Sequence, residues 1–118
     1  MTVKLNASKA SNNKEPKIER MMTLSPLHLA PNTYKGLVKY KPKFKTIAVA
    51  VTSIGMFVTI GDFCDHEFAD DLSEDLFDVV MFARSRNCSV VRFGQGTDVI
   101  PHLNYYYETE TRYEGDDI

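Results

Sequence analysis

A chain of 118 residues, 43% hydrophobic and 25% charged, is one domain's worth of sequence with enough apolar residues for one modest core. No apolar run approaches the roughly 20 residues of a membrane span, and no signal-peptide stretch opens the chain, which predicts a cytoplasmic protein. The net charge of −2 divides unevenly: residues 1–61 carry ten Lys/Arg against two acids (+8), and residues 62–118 carry four Arg against fourteen acids (−10), a pattern that speaks of partners rather than of fold.

Residues 1–17 are polar and almost free of large apolar groups, which predicts a flexible N-terminal arm. A single α+β domain is expected over 18–108, and a frayed acidic tail over 109–118. Residues 18–24 (IERMMTL) read as a first strand. Pro31-Asn32-Thr33 opens a short helix over 33–40, weakened by Gly36 and ended by Pro42.

Residues 46–52 (TIAVAVT) form the clearest strand, with Ile47, Val49 and Val51 on one face and Ala48 and Ala50 on the other. The small second face would let another layer come close. Residues 56–60 (MFVTI) pair with this strand across a short linker as a hairpin. A long helix is expected over 71–86, where Leu72, Leu76, Val79, Val80 and Ala83 make one apolar stripe, Asp71 caps the start and Asn87 closes the end. Residues 89–93 (SVVRF) return as a strand, 94–98 turn, and 105–107 add a short edge strand. The sum is a small, mainly antiparallel sheet of three to five strands with the long helix on one face and one short helix. Val49, Val51, Val58, Leu76, Val79 and Val91 are the expected core.

Three segments, LSPLHLAPNT at 24–33, GMFVTIGD at 55–62 and DLSEDLFDVVMFARSRNCSVVRFGQGTDVIPHLNYY at 71–106, together resemble a family of short uncharacterised proteins carried by phages, plasmids and genomic islands. The resemblance covers about two thirds of the chain and implies a mobile-element accessory protein, with no activity attached. The lysines at 35–45 and the triple tyrosine lie outside it.

Two charged segments are candidate binding surfaces. Asp70, Asp71, Glu74, Asp75 and Asp78 present spaced carboxylates that could imitate a phosphate backbone to a nucleic-acid-handling protein. Lys35, Lys39, Lys41, Lys43 and Lys45, with Tyr40 among them, could instead neutralise phosphates and stack on bases. A plainer account of that second segment is a half-buried extended stretch in which Tyr40, Pro42 and Phe44 plug into the core. Cys64, His66, Cys88 and His102 lack the paired spacing of a structural zinc site, and His28 in its apolar run reads as a packed residue rather than a base. No cofactor or catalytic residue is expected. The sequence therefore predicts a non-enzymatic phage or mobile-element accessory protein that binds a host protein through the acidic face and inhibits a nucleic-acid-handling defence system, as an inhibitor of the anti-CRISPR or antirestriction type. A small RNA- or DNA-binding module is the alternative, and dimerisation through a sheet edge fits either.

Overall fold

The computed structural model describes residues 15–106. Strand β1 spans Met21–Leu24, and after a 3-10 turn at Pro26–His28, helix α1 runs Pro31–Tyr40. The hairpin follows as β2 (Ile47–Thr52) and β3 (Gly55–Ile60), then helices α2 (Asp65–Asp71) and α3 (Glu74–Ser85), and strand β4 (Val90–Phe93). The four strands make one mixed sheet in the order β1-β4-β3-β2. β1 runs parallel to β4, while β4–β3 and β3–β2 are antiparallel. This is the expected α+β architecture.

Register explains the core. Met22 and Leu24 lie beside Val91 and Phe93, which lie beside Val58 and Met56, so one sheet face presents an unbroken apolar surface. Leu37 of α1, Phe68 of α2, and Leu76, Val79, Val80 and Ala83 of α3 join the same buried cluster. The helices therefore sit together on that face. At the hairpin, Gly55 has φ +138°, and a Cβ there would come within 2.8 Å of the Phe93 carbonyl oxygen, so glycine is required.

Several expectations need correction. The long helix is two: Leu72 breaks it with extended dihedrals (φ −117°, ψ 151°), and Ser73, not Asp71, occupies the N-cap of α3. Leu72 is nevertheless buried, so the apolar stripe runs across the break. Helix α2 was not foreseen. Helix α1 begins at Pro31, and β1 at Met21, with Ile18 left 88% exposed. Val49 is only half-buried and Val51 is 43% exposed, because burial fades along the edge strand β2 from its Ile47 end, which joins the core, toward the hairpin tip. No described residue layers over Ala48 and Ala50, which are exposed. Residues 105–106 add no strand; the Tyr106 amide instead donates to the Leu27 carbonyl at 2.8 Å. Asn87 closes α3 as expected, with φ +61° and its amide on the Arg84 carbonyl. Most of the expected N-terminal arm (residues 1–14), Tyr107 and the acidic tail lie outside the described residues.

Candidate functional site

The acidic run from Asp62 to Asp78 separates into two groups when its carboxylates are followed one by one. Asp65 pairs with Arg84 at 2.9 Å across α2 and α3. Glu67 reaches back to the start of its own helix, accepting from the Cys64 amide at 3.1 Å and the Cys64 thiol at 3.0 Å, and also pairs with Lys45 at 3.0 Å. The Cys64 thiol, the Lys45 ammonium and the Cys64 amide hold the Glu67 carboxyl down at about 2. Asp71 accepts from the Thr46 amide (2.8 Å) and hydroxyl (2.6 Å), tying the end of α2 to the start of β2. Desolvation pushes its carboxyl up, but the hydrogen bonds from Thr46, together with the Lys45 amide and charge, outweigh this and leave it below its ordinary value.

Asp75 is buried, and its two oxygens accept from the Ala30 amide (2.7 Å) and the Ser73 hydroxyl (2.6 Å). It thereby joins the N-terminus of α1 to that of α3. Of the five expected contact carboxylates, Asp75 is thus removed from the surface and Asp71 is committed to an internal contact. The sequence alone missed this because the partners, Ala30 and Thr46, lie 45 and 25 residues away.

Asp62, at the far end of the run, is exposed and also pairs with no described residue; of the five expected contact carboxylates, Asp70, Glu74 and Asp78 remain. Asp70 and Glu74 are exposed, Asp78 is half-buried, and none of the three carboxylates hydrogen-bonds or ion-pairs with another described residue. Asp70 and Glu74 stand on either side of the α2–α3 break, and Asp78 follows Glu74 by one helical turn. Tyr106 sits in the same neighbourhood: burial first, then the charges of Asp75, Asp78 and Glu74, push its phenol up. Among the described residues, the surface is therefore three unpaired carboxylates, with the Tyr106 ring near Glu74 and Asp78.

The basic segment is arranged differently from its plainer account. Tyr40 is 73% exposed and Pro42 is exposed; Phe44 alone of the three is partly buried against the core. Lys39 lies over the Tyr40 ring at 5.6 Å, and Lys41 caps α1 in the left-handed conformation at φ +47°. Lys39, Lys41 and Lys43 are exposed and pair with no described carboxylate, whereas Lys45 is held by Glu67. Lys35 is half-buried on α1.

His28 is buried with both ring nitrogens in use. Nδ1 lies 2.7 Å from the Asn104 carbonyl and Nε2 lies 3.1 Å from the Ile100 amide. A carbonyl only accepts and an amide only donates, so Nδ1 carries the proton and Nε2 accepts. No lone pair is left for base chemistry, and the ring staples residues 100–104 to the entry of α1. Cys64 lies 3.3 Å from His66 Nδ1, but its hydrogen bond to Glu67, with some burial, pushes the thiol up, away from the thiolate a nucleophile needs. Cys88 is buried, and His102 packs on the Phe82 ring at 5.5 Å. Among the described residues, no three His, Cys, Asp or Glu side chains gather where they could hold a metal ion. No described helix is long and apolar enough to cross a membrane.

Residues 21–108 match the model of the C-terminal domain of a family of unknown function, DUF5983. The chain belongs to this family. The match begins at β1 and takes in every described strand and helix, so the DUF5983 domain is the fold described above. No curated protein and no solved structure matches it. A family without an assigned activity transfers none, and function has to be argued from the DUF5983 domain's own surfaces.

Proposed function

We propose that this DUF5983 domain is a non-enzymatic accessory protein of a phage or other mobile element, acting in the host cytoplasm. It captures a basic host protein that handles nucleic acid, of the kind that anti-CRISPR and antirestriction proteins block. One observation carries the reading: along α2 and α3, where Asp65, Glu67, Asp71 and Asp75 are tied into the fold, Asp70, Glu74 and Asp78 pair with no described residue, and Glu74 and Asp78 lie near Tyr106. Unpaired carboxylates at an interface rim accelerate encounter with a positive surface and reject negative ones. The mobile-element setting rests on the sequence resemblance.

A second reading has its own support. Tyr40, 73% exposed beside Lys39, Lys41 and Lys43, which pair with no described carboxylate, is a small aromatic and cationic platform suited to single-stranded nucleic acid. The segment has no Arg for bidentate base recognition, so such binding would be insensitive to sequence.

Tagged full-length protein recovered from host cells, with and without nuclease, separates the two. A specific protein partner that survives nuclease supports capture through the acidic surface. Recovered nucleic acid, with binding to oligonucleotides that weakens steeply as salt rises, supports the second reading and removes the first.

A further inference from the structure

Among the described residues, the hairpin carries an open strand edge without charged guards. From Thr46 to Gly61 the chain holds no Asp, Glu, Lys or Arg, although a quarter of all residues are charged. Its first strand, β2, is at the edge of the sheet and no described residue pairs with its outer side. Edge strands are normally guarded by Lys, Pro, a bulge or a covering segment. β2 has none of these within the described structure: IAVAVT is regular and pairs residue for residue with β3 from Ile47 to Thr52.

The hydrogen-bond phase shows which groups face outward. Gly61 donates to the Thr46 carbonyl, so even-numbered residues of β2 bond inward to β3. The amides and carbonyls of Ile47, Val49 and Val51 therefore point away from the sheet, three donors and three acceptors in a row. Val51 is 43% exposed and Ile54, at the hairpin tip, 65%.

We infer that β2 pairs antiparallel with β2 of a second copy, joining two four-stranded sheets into one eight-stranded sheet about a two-fold axis at Val49. In that register Val49 faces Val49 of the second copy and Ile47 faces Val51, so all six outward groups are satisfied in hydrogen-bonded pairs. The exposed Val51 gains an apolar cover, and Ala48 meets Ala50 on the other face. No charge is brought opposite a like charge, because the strand has none. The polar residues 1–14 and the acidic residues 107–118 are poor complements for Val51 and Ile54, whereas β2 itself supplies uncharged β-branched neighbours.

Sedimentation velocity of the full chain from about 1 to 100 µM tests the pairing. The expected result is a species of twice the 13.4 kDa chain mass. Val51→Pro removes an outward donor without touching the bonds to β3, and should shift the population to monomer. Ala48→Lys with Ala50→Lys, at two exposed side chains, should do the same if the proline variant fails to fold. Amide exchange at Ile47, Val49 and Val51 should slow as dimer forms. A parent that stays monomeric at every concentration overturns the inference, as does a dimer that persists in the folded variants. A monomer with already protected β2 amides does so too, because the chain's own ends would then cover the edge.

Discussion

The Asp75 carboxylate accepts two hydrogen bonds in a nearly closed setting, and the Ala30 amide depends on it. Asp75→Ala leaves that amide unpaired and should cost about 1–3 kcal/mol in chemical denaturation. Glu74, one residue away but exposed, should change stability by less than about 0.5 kcal/mol when replaced by Ala. Glu67 makes a prediction in pH. Its carboxyl is held at about 2 in the fold, below its ordinary 4.5, so its contribution is fully present above about 4.5 and is lost as pH falls toward 2. Asp71 acts in the same direction. The melting temperature should fall through this acid window, and Glu67→Gln should flatten part of the fall; an unchanged profile would show that the contacts to Cys64 and Lys45 do not persist in solution.

Among the elements, those set by local periodicity were legible and those set by distant contacts were not. The β2–β3 hairpin and the stripe Leu76, Val79, Val80 and Ala83 follow from alternation and helical spacing, and both are in place. Helix α2 buries Phe68 alone across its seven residues, so it has no stripe to read. The break at Leu72 was hidden because Leu72 is buried in line with α3; the signal for it was Ser73 followed by two acids, an ordinary helix start. The parallel β1–β4 pairing joins residues almost seventy positions apart and has no local trace. For the candidate site, the acidic character was legible, but which carboxylates stay free was not, since that is decided by Ala30, Thr46, Lys45 and Arg84 arriving from elsewhere. Two substitutions test the elements. Leu76→Ala should cost about 2–5 kcal/mol, because Leu76 is enclosed between α3 and the sheet. Gly36→Ala, within α1 where an added Cβ meets nothing within 4 Å, should stabilise by about 0.5–1 kcal/mol. A thermal shift in the opposite direction would mean that α1 is not helical at Gly36.

Taken whole, the molecule presents surfaces of different kinds: carboxylates at the α2–α3 break, lysines with Tyr40 at the end of α1, and an uncharged strand edge at β2. Charge of one sign at an exposed site adds little to stability, so its value lies in which partner it attracts. The acidic surface is central to the proposed role, and Asp70→Lys, Glu74→Lys and Asp78→Lys combined reverse it without disturbing Asp71 or Asp75. The decisive measurement is capture from host lysate by this triple variant and by the parent across a salt series, with circular dichroism confirming that both are folded. The account predicts that the folded variant loses the partner at low salt, and that the parent's advantage shrinks as salt screens the surface charges. Capture at the parent's level by the folded variant at every salt concentration would contradict it.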